Sequence, residues 1–451
     1  MKNLPKLEEL SIDDKDALII ELWQEIEKLR QEIAGQKKVT KKTEKNSSIP
    51  PSKGFKDNVK PSETEKKKRA GHKKGGRELD NEPNQIIIAQ AKVCPNCHNQ
   101  VEIESQELHS VYEKIEVPKV TALVTQIRRY AGECPHCQQK YIAPVPVGME
   151  PGSPFGKSIE QIATYCRYSH AISYQRLSKM MSELFQIKIS EGALSNLFQR
   201  VKSHLDPQVQ AILERLQQSR IVCSDETSAR VNGKTEWEWV FQNEEVCLHV
   251  IRPSRGTKVI EEVMQNHRPE IWVSDLFSAQ KNHPAKEWQV CLAHQLRDCQ
   301  YAIDAGDQVF APRMKLLLLR AFAIHQRRSH LADSTLYQYR CDLNRRLNLT
   351  LNLEPEQKDG IRLRKRYQKI KDYLFLFLDD TSIPPTNNSS EQALRMSVIF
   401  RKVTNCFRSE WGRDLFAHVR SVVNTGMRQG LSAFQSIENS LSPHTTLFDP
   451  S

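Results

Sequence analysis

Three strand-like runs, a helix, a fourth strand and then a long helical stretch follow one another between residues 221 and 378, an order that predicts an α/β domain with a ribonuclease-H-like sheet. Two more observations make the chain multidomain. Its 451 residues exceed what a single hydrophobic core supports, and two Cys-x-x-Cys pairs lie in a separate strand-patterned segment upstream. The expected order is a coiled-coil helix over 1–36, a basic linker over 37–82 and a zinc-ribbon-like β domain over 83–150. A helical block over 151–219 follows, then the α/β domain over 220–430 with a helical insertion at about 295–378, and a tail over 431–451.

Composition and the placement of charge narrow the class. The chain is 38% hydrophobic and 27% charged with a mean hydropathy of -0.59, enough apolar mass to bury cores. Its net charge is +11, and the 15 basic and 4 acidic residues from Lys37 to Arg77 account for the whole excess. No apolar run approaches the ~18 residues of a membrane span; Tyr373 to Leu378 and Leu316 to Leu319 are far too short. The N-terminus lacks the apolar stretch of a secretory signal, and eleven cysteines, an odd number, point to reduced thiols. A cytoplasmic protein with a basic arm is expected.

Ser11-Ile12-Asp13-Asp14 reads as a capping box, after which Ile19, Leu22, Ile26, Leu29 and Ile33 recur at spacings of 3 and 4 up to Gly35. That seam suits self-association, and it also suits an amphipathic helix docked on its own domain. The Lys-, Ser- and Pro-rich segment beyond it buries too little to offset chain entropy. Lys66, Lys67, Lys68 and Arg69, with Lys73, Lys74 and Arg77, could gain affinity for a polyanion by counterion release, or merely solubilise a tether.

Cys94-Pro95-Asn96-Cys97 and Cys134-Pro135-His136-Cys137 are two knuckles amid strand-like alternation over Ile86 to Pro146. Four thiolates, Cys94, Cys97, Cys134 and Cys137, suit a tetrahedral structural zinc; a redox dithiol would want its pair at a helix N-terminus, and neither pair begins one. In the helical block, a turn through Ile187 to Ser190 between two helices resembles a helix-turn-helix, with Ser190 as N-cap and Ser195, Asn196 and Arg200 able to face a groove. A generic helical hairpin has the same pattern.

Asp225 lies at the centre of the strand IVCSDET, where an unpartnered carboxylate is costly. Asp275 ends the apolar run IWVSD, the end at which open α/β sheets carry their sites. Glu391 falls in the first turn of a helix capped by Asn388 or Ser389 and is well placed to point at the sheet. Together these acids suit a hard divalent cation; Glu226, Asp379 and Asp380 are rivals. Trp237 and Trp239 share a strand face, as core or as stacking platforms. Cys291 and His294 lie one helical turn apart, either bracing the insertion or marking a second metal site.

The order of zipper, basic linker, two knuckles, helical block, SDET, SDLFSAQ, Cys291-Leu292-Ala293-His294 with Arg297, and NNSSEQALR followed by FRKVTNCFRSEWG resembles a transposase of the insertion sequence 66 family over nearly the whole chain. Gln392 stands where that family usually has Arg, and Leu276-Phe277 where Gly-Tyr is common. The resemblance implies a DNA transposase of the Asp-Asp-Glu type with Asp225, Asp275 and Glu391 as catalytic ligands of Mg²⁺ or Mn²⁺. Two ions roughly 3.5 to 4 Å apart would serve the attacking and leaving oxygens. It implies nicking at a transposon end followed by attack of the freed 3′-OH on target DNA, and accessory proteins of the same element as partners. Arg395, Arg401, Lys402 and Arg408 could track phosphates, as could an insertion in which Arg313 to Asp372 holds 15 basic and 6 acidic residues. The partners expected are transposon terminal repeats, target DNA and further copies of the chain, in the nucleoid. A zinc-dependent DNA-binding regulator without catalysis and a ribonuclease-H-like nuclease without strand transfer remain alternatives.

Overall fold

The computed structural model describes residues 77–405 and 407–442, with the isolated residues 26, 42 and 46. The expected N-terminal seam apart from Ile26, the basic residues Lys66, Lys67, Lys68 and Arg69, and residues 443–451 lie outside the described residues.

Between residues 77 and 150 the paired strands are β1 (Ala131–Glu133) and β2 (Lys140–Ile142), which form an antiparallel pair. The segments VEIES and TALVTQIRRY, expected as strands, run without ladder partners, and Leu123 and Val124 are 94% and 88% exposed. Alternation marks a segment fit to line a sheet, but a strand forms only where its backbone groups find a neighbour.

The helical block consists of α1 (Lys157–Thr164), prolonged by a wide turn over Tyr165–Ser169, then α2 (Tyr174–Phe185) and α3 (Glu191–Leu216). Ser173 and Ser190 cap α2 and α3, accepting from the backbone N–H of Arg176 and Ala193, and Gln186 stops α2 in the left-handed region at φ 57°. Leu177, Met181, Leu194, Leu197, Phe198, Val201 and Leu205 turn one face of the block inward. This core is not separate from that of the sheet: one buried apolar cluster runs from Ala163 to Leu441.

The sheet is built around β3 (Ile221–Val231), which pairs antiparallel with β4 (Lys234–Gln242) through Asn232-Gly233, both at positive φ as a tight hairpin turn requires. β5 (Cys247–Arg252) pairs antiparallel with β4. After α4 (Lys258–Met264), β6 (Ile271–Ser274) lies parallel to β3 and β7 (Glu287–Val290) parallel to β6. The order is β5-β4-β3-β6-β7. β7 adds a fifth strand to the four expected; β6 is as short but stands out as the apolar run IWV, whereas EWQV of β7 is broken by Glu287 and Gln289.

Four helices follow: α5 (Leu292–Asp304), α6 (Phe310–Arg327), α7 (Asp333–Leu351) and α8 (Lys358–Ile370), packed around Phe310, Met314, Leu318, Leu343, Leu363 and Tyr367. The chain then returns to the sheet as α9 (Asn388–Thr404), lying on β3 and β4, and α10 (Glu410–Arg428), lying on β5 and α3. A buried polar chain bolts both helices to the strands. His249 Nδ1 meets Glu238 Oε1 at 2.8 Å, that oxygen accepts from Ser397 Oγ at 2.7 Å, and His249 Nε2 meets Asn424 Nδ2 at 2.8 Å. The segment expected as a tail contains α11 (Ala433–Leu441), which opens on a capping box of Ser432 and Gln435 and buries Ile437 and Leu441. Among the described residues no helix is long and apolar enough to cross a membrane.

Candidate active site

Asp225 stands at the centre of β3 opposite Val240. The parallel register of β3 with β6 pairs Ile221 with Ile271 and Cys223 with Val273; carried two residues past the last pair it aims Asp275 at Asp225, whose carboxyl feels the Asp275 charge. Asp275 follows the last residue of β6 and turns back on its own loop, its Oδ1 accepting from the Phe277 N–H at 2.8 Å. Glu391 arrives from the first turn of α9. That turn is fastened to the sheet: Asn387 Nδ2 donates to the Ser224 carbonyl at 2.7 Å, and Gln242 Nε2 donates to Ser389 and Ser390 hydroxyls at 2.8 Å each. The cap expected at Asn388 or Ser389 falls on Asn387, which makes no side-chain cap to the backbone: its Oδ1, the atom that would accept one, accepts instead from Ser390 Oγ at 2.6 Å.

The acids act on one another. Burial, then Glu226, Asp275 and Glu391 in turn, push the Asp225 carboxyl well above its ordinary range. Burial and Asp275 likewise raise Glu226, whose side chain is 1% exposed. Two arginines offset part of this charge. Arg255 donates to Glu226 Oε1 at 2.8 and 3.2 Å while its guanidinium lies over Trp237 at 4.4 Å and Phe277 at 3.8 Å. Arg297 donates to Glu391 Oε1 at 3.0 Å, and His294 Nε2 is 3.6 Å from the same oxygen. Burial, followed by the neighbouring Arg297, lowers the His294 imidazole. Gln280 ties Glu226 to the sheet, donating to it at 3.0 Å while accepting from Trp272 Nε1 at 3.0 Å.

Oxygen donors of this kind suit a hard divalent cation, and their mutual repulsion is what a cation would relieve. Among the described residues, however, no three His, Cys, Asp or Glu side chains are gathered closely enough to form a ligand set. The rivals Asp379 and Asp380 are engaged elsewhere, Asp379 with Arg340 and Asp380 with Arg220. A cavity of about 1230 Å³ borders α9 through Ser389 and Gln392 and is lined also by Arg220, Cys223 and Arg428, but none of the four acids lines it.

The two knuckles adopt the same turn. Cys94 accepts from the His98 N–H at 2.9 Å and donates to Asn99 at 2.8 Å, Cys134 does so with Gln138 and Gln139 at 2.8 and 2.9 Å, and His98 and Gln138 lie at φ 58° and 57°. Backbone N–H groups of Cys97 and Asn96 lower the Cys94 thiol, as those of Cys137 and His136 lower Cys134. Each pair is thus shaped for a soft metal, but the two pairs are not brought into one set.

Of the residues considered for DNA contact, Asn196, Arg395, Lys402 and Arg408 are exposed and Ser195 is half-buried. Arg200 is half-buried and engaged, bonded to Glu160 at 3.0 Å and Ser153 at 2.9 Å, and Arg401 donates to Ser228 at 3.0 Å. Cys291 and His294 brace the insertion: Cys291 Sγ accepts from the Asn387 N–H at 3.1 Å and lies 3.3 Å from His294 Nδ1. Trp239 is core, and Trp237 is the half-buried shelf for Arg255. Sequence reasoning missed Arg255 and Asn387, whose loops carry no periodic signal; Gln280 was visible only as the last letter of SDLFSAQ.

A search among curated proteins gave no match. A sequence model of the transposase IS66 family matches residues 152–414, from the helical block through β3, β6 and α9 into α10. With more than half of its length matched across the elements that carry the acidic cluster, the chain belongs to the IS66 family of transposases.

Proposed function

We propose that the chain is a transposase of the Asp-Asp-Glu type, in which Asp225, Asp275 and Glu391 hold divalent cations on a ribonuclease-H-like sheet. The observation that carries this reading is that the charges of Asp275 and Glu391 both reach the buried Asp225 carboxyl, the three being delivered by the central strand, its parallel neighbour and the first turn of the returning helix. Strand order β5-β4-β3-β6-β7, with three antiparallel strands and two parallel ones, supports the sheet assignment. Bound Mg²⁺ or Mn²⁺ would supply activation of the attacking oxygen and stabilisation of the leaving 3′ oxygen.

The protein's own part is positional. Asn387 and Gln242 fix the first turn of α9, so Glu391 keeps its height above β3. Arg255 and Gln280 hold Glu226 aside, leaving Asp225 and Asp275 on the shared edge. Nicking forms a bond from water oxygen to phosphorus and releases the 3′ oxygen as a hydroxyl; in the joining step that hydroxyl oxygen bonds to a target-strand phosphorus, and the target's own 3′ oxygen leaves as a hydroxyl. Exposed Arg395, Lys402 and Arg408 continue from α9 along a path that suits phosphates. The knuckle cysteines Cys94, Cys97, Cys134 and Cys137 would hold a structural zinc, as their twin turns and lowered thiols suggest.

Full-length protein with Mn²⁺ and labelled terminal repeats should nick at a 3′ end and join it to target DNA. Asp225→Asn, Asp275→Asn and Glu391→Gln should each lower the rate by roughly a thousandfold or more. Nicking that survives all three would defeat the assignment, and hydrolysis without any joining would favour a nuclease.

A further inference from the structure

Four carboxylates border the candidate site without closing into one ligand set, and two of them already have a cation of their own. Glu226 is tied to Arg255 and Glu391 to Arg297, at 2.8 and 3.0 Å, whereas among the described residues neither Asp225 nor Asp275 forms an ion pair. The division has a structural cause. Cys291, at the start of α5, accepts from the backbone N–H of Asn387 at the start of α9, and Leu292 donates its N–H to the Pro385 carbonyl at 3.0 Å. The two helix starts are therefore pinned together. Residues three apart on a helix share a face, so His294 and Arg297 of α5 are both presented to the first turn of α9, and both meet the same oxygen, Glu391 Oε1.

We infer that Arg297 is a stand-in counter-ion that holds Glu391 until a divalent cation takes its place, so that the third ligand is kept off the site in the metal-free chain. The inference rests on the metal-site reading above. A cation would first meet Asp225 and Asp275, the two acids without an ion pair, and Glu391 would complete the set only by giving up Arg297. Arg297 is a positioning residue on this account: it acts through Glu391. Metal affinity is then the net of a gained ligand and a lost ion pair. Removing the guanidinium should tighten metal binding, whereas a supporting contact that holds Glu391 in its ligating pose would weaken it when lost.

Mn²⁺ binding to the full-length protein without DNA, followed by the electron paramagnetic resonance of the free ion, reads this directly. Wild type should bind Mn²⁺ in a manner that Asp225→Asn removes, and Arg297→Gln should bind it about fivefold more tightly or better. In a Glu391→Gln background the same Arg297→Gln change should leave affinity unchanged. Weaker or equal binding by Arg297→Gln overturns the inference, as does a tightening that persists without the Glu391 carboxylate, since that would be a general charge effect. If Arg297→Gln does not fold, Arg297→Lys carries the test: it keeps the charge but loses the planar fork, and should tighten binding to a smaller degree. Wild-type protein that binds no Mn²⁺, or binding indifferent to Asp225→Asn, would sink the metal-site reading itself and this inference with it, a pattern distinct from the outcomes that single out Arg297.

Discussion

Arg255 shows how much one side chain can hold in this site. Its guanidinium is stacked between Trp237 and Phe277 and donates twice to a carboxylate whose side chain is 1% exposed. Truncation would leave Glu226 buried with Gln280 as its remaining donor among the described residues. Arg255→Ala should therefore cost about 2 kcal/mol in urea unfolding of the metal-free protein. In a Glu226→Gln background the cost should fall below about 1 kcal/mol, because what remains is the ring contact. An equal cost in both backgrounds would place the energy in stacking alone. None of this was legible in the sequence, since the partners of Arg255 lie at 226, 237 and 277 and the residue itself occupies a loop without a period. Asp225, Asp275 and Glu391 were legible for the opposite reason: a carboxylate inside an apolar strand, at a strand end or in a first helical turn is conspicuous against its local pattern.

At the level of elements, period and length decided what could be read. β3, β4 and β5 span 6 to 11 residues and show themselves, and four-residue β6 does so as an apolar run, while the equally short β7 is broken by Glu287 and Gln289 and does not. The helical insertion was readable as helix, but its tie to Glu391 through Arg297 crosses 94 positions of sequence. In residues 77–150 alternation was present without the expected ladders, and the two knuckles are formed while lying apart. A tetrahedral metal would supply the missing tether, since a closed thiolate site contributes folding energy outright. Metal analysis of purified protein should give about one zinc per chain, lost in Cys94→Ser. Zinc-free protein with the same hydrogen-exchange protection around Cys94 and Cys134 would overturn the structural role.

At the scale of the whole molecule, the charges outside Lys37 to Arg77 sum to zero but are unevenly placed, and α8 carries a clear basic surface. Its buried residues Gly360, Leu363, Tyr367 and Ile370 define one face, and the helical period sets Lys358, Arg362, Lys365 and Lys369 together on the opposite, exposed one. Arg362 is partly neutralised by Asp359 at 3.1 Å, so the three lysines carry most of the stripe. Beside this face, half-buried Arg366 grips Asp298 of α5, the helix that also carries Arg297. If DNA lies along the stripe while its scissile phosphate reaches Asp225, each lysine that meets a phosphate releases condensed counterions. Changing Lys358, Lys365 and Lys369 together to Ala should then reduce the slope of log affinity against log salt by about 2 to 3, at ~0.9 per contact. Fluorescence anisotropy of labelled duplex DNA between about 50 and 200 mM salt measures this slope. Asp225→Asn should leave it unchanged, since a carboxylate releases no DNA counterion. An unaltered slope in the triple variant would mean that the duplex takes another course, along Arg395, Lys402 and Arg408 of the returning segment, and the same substitution made there should then carry the loss.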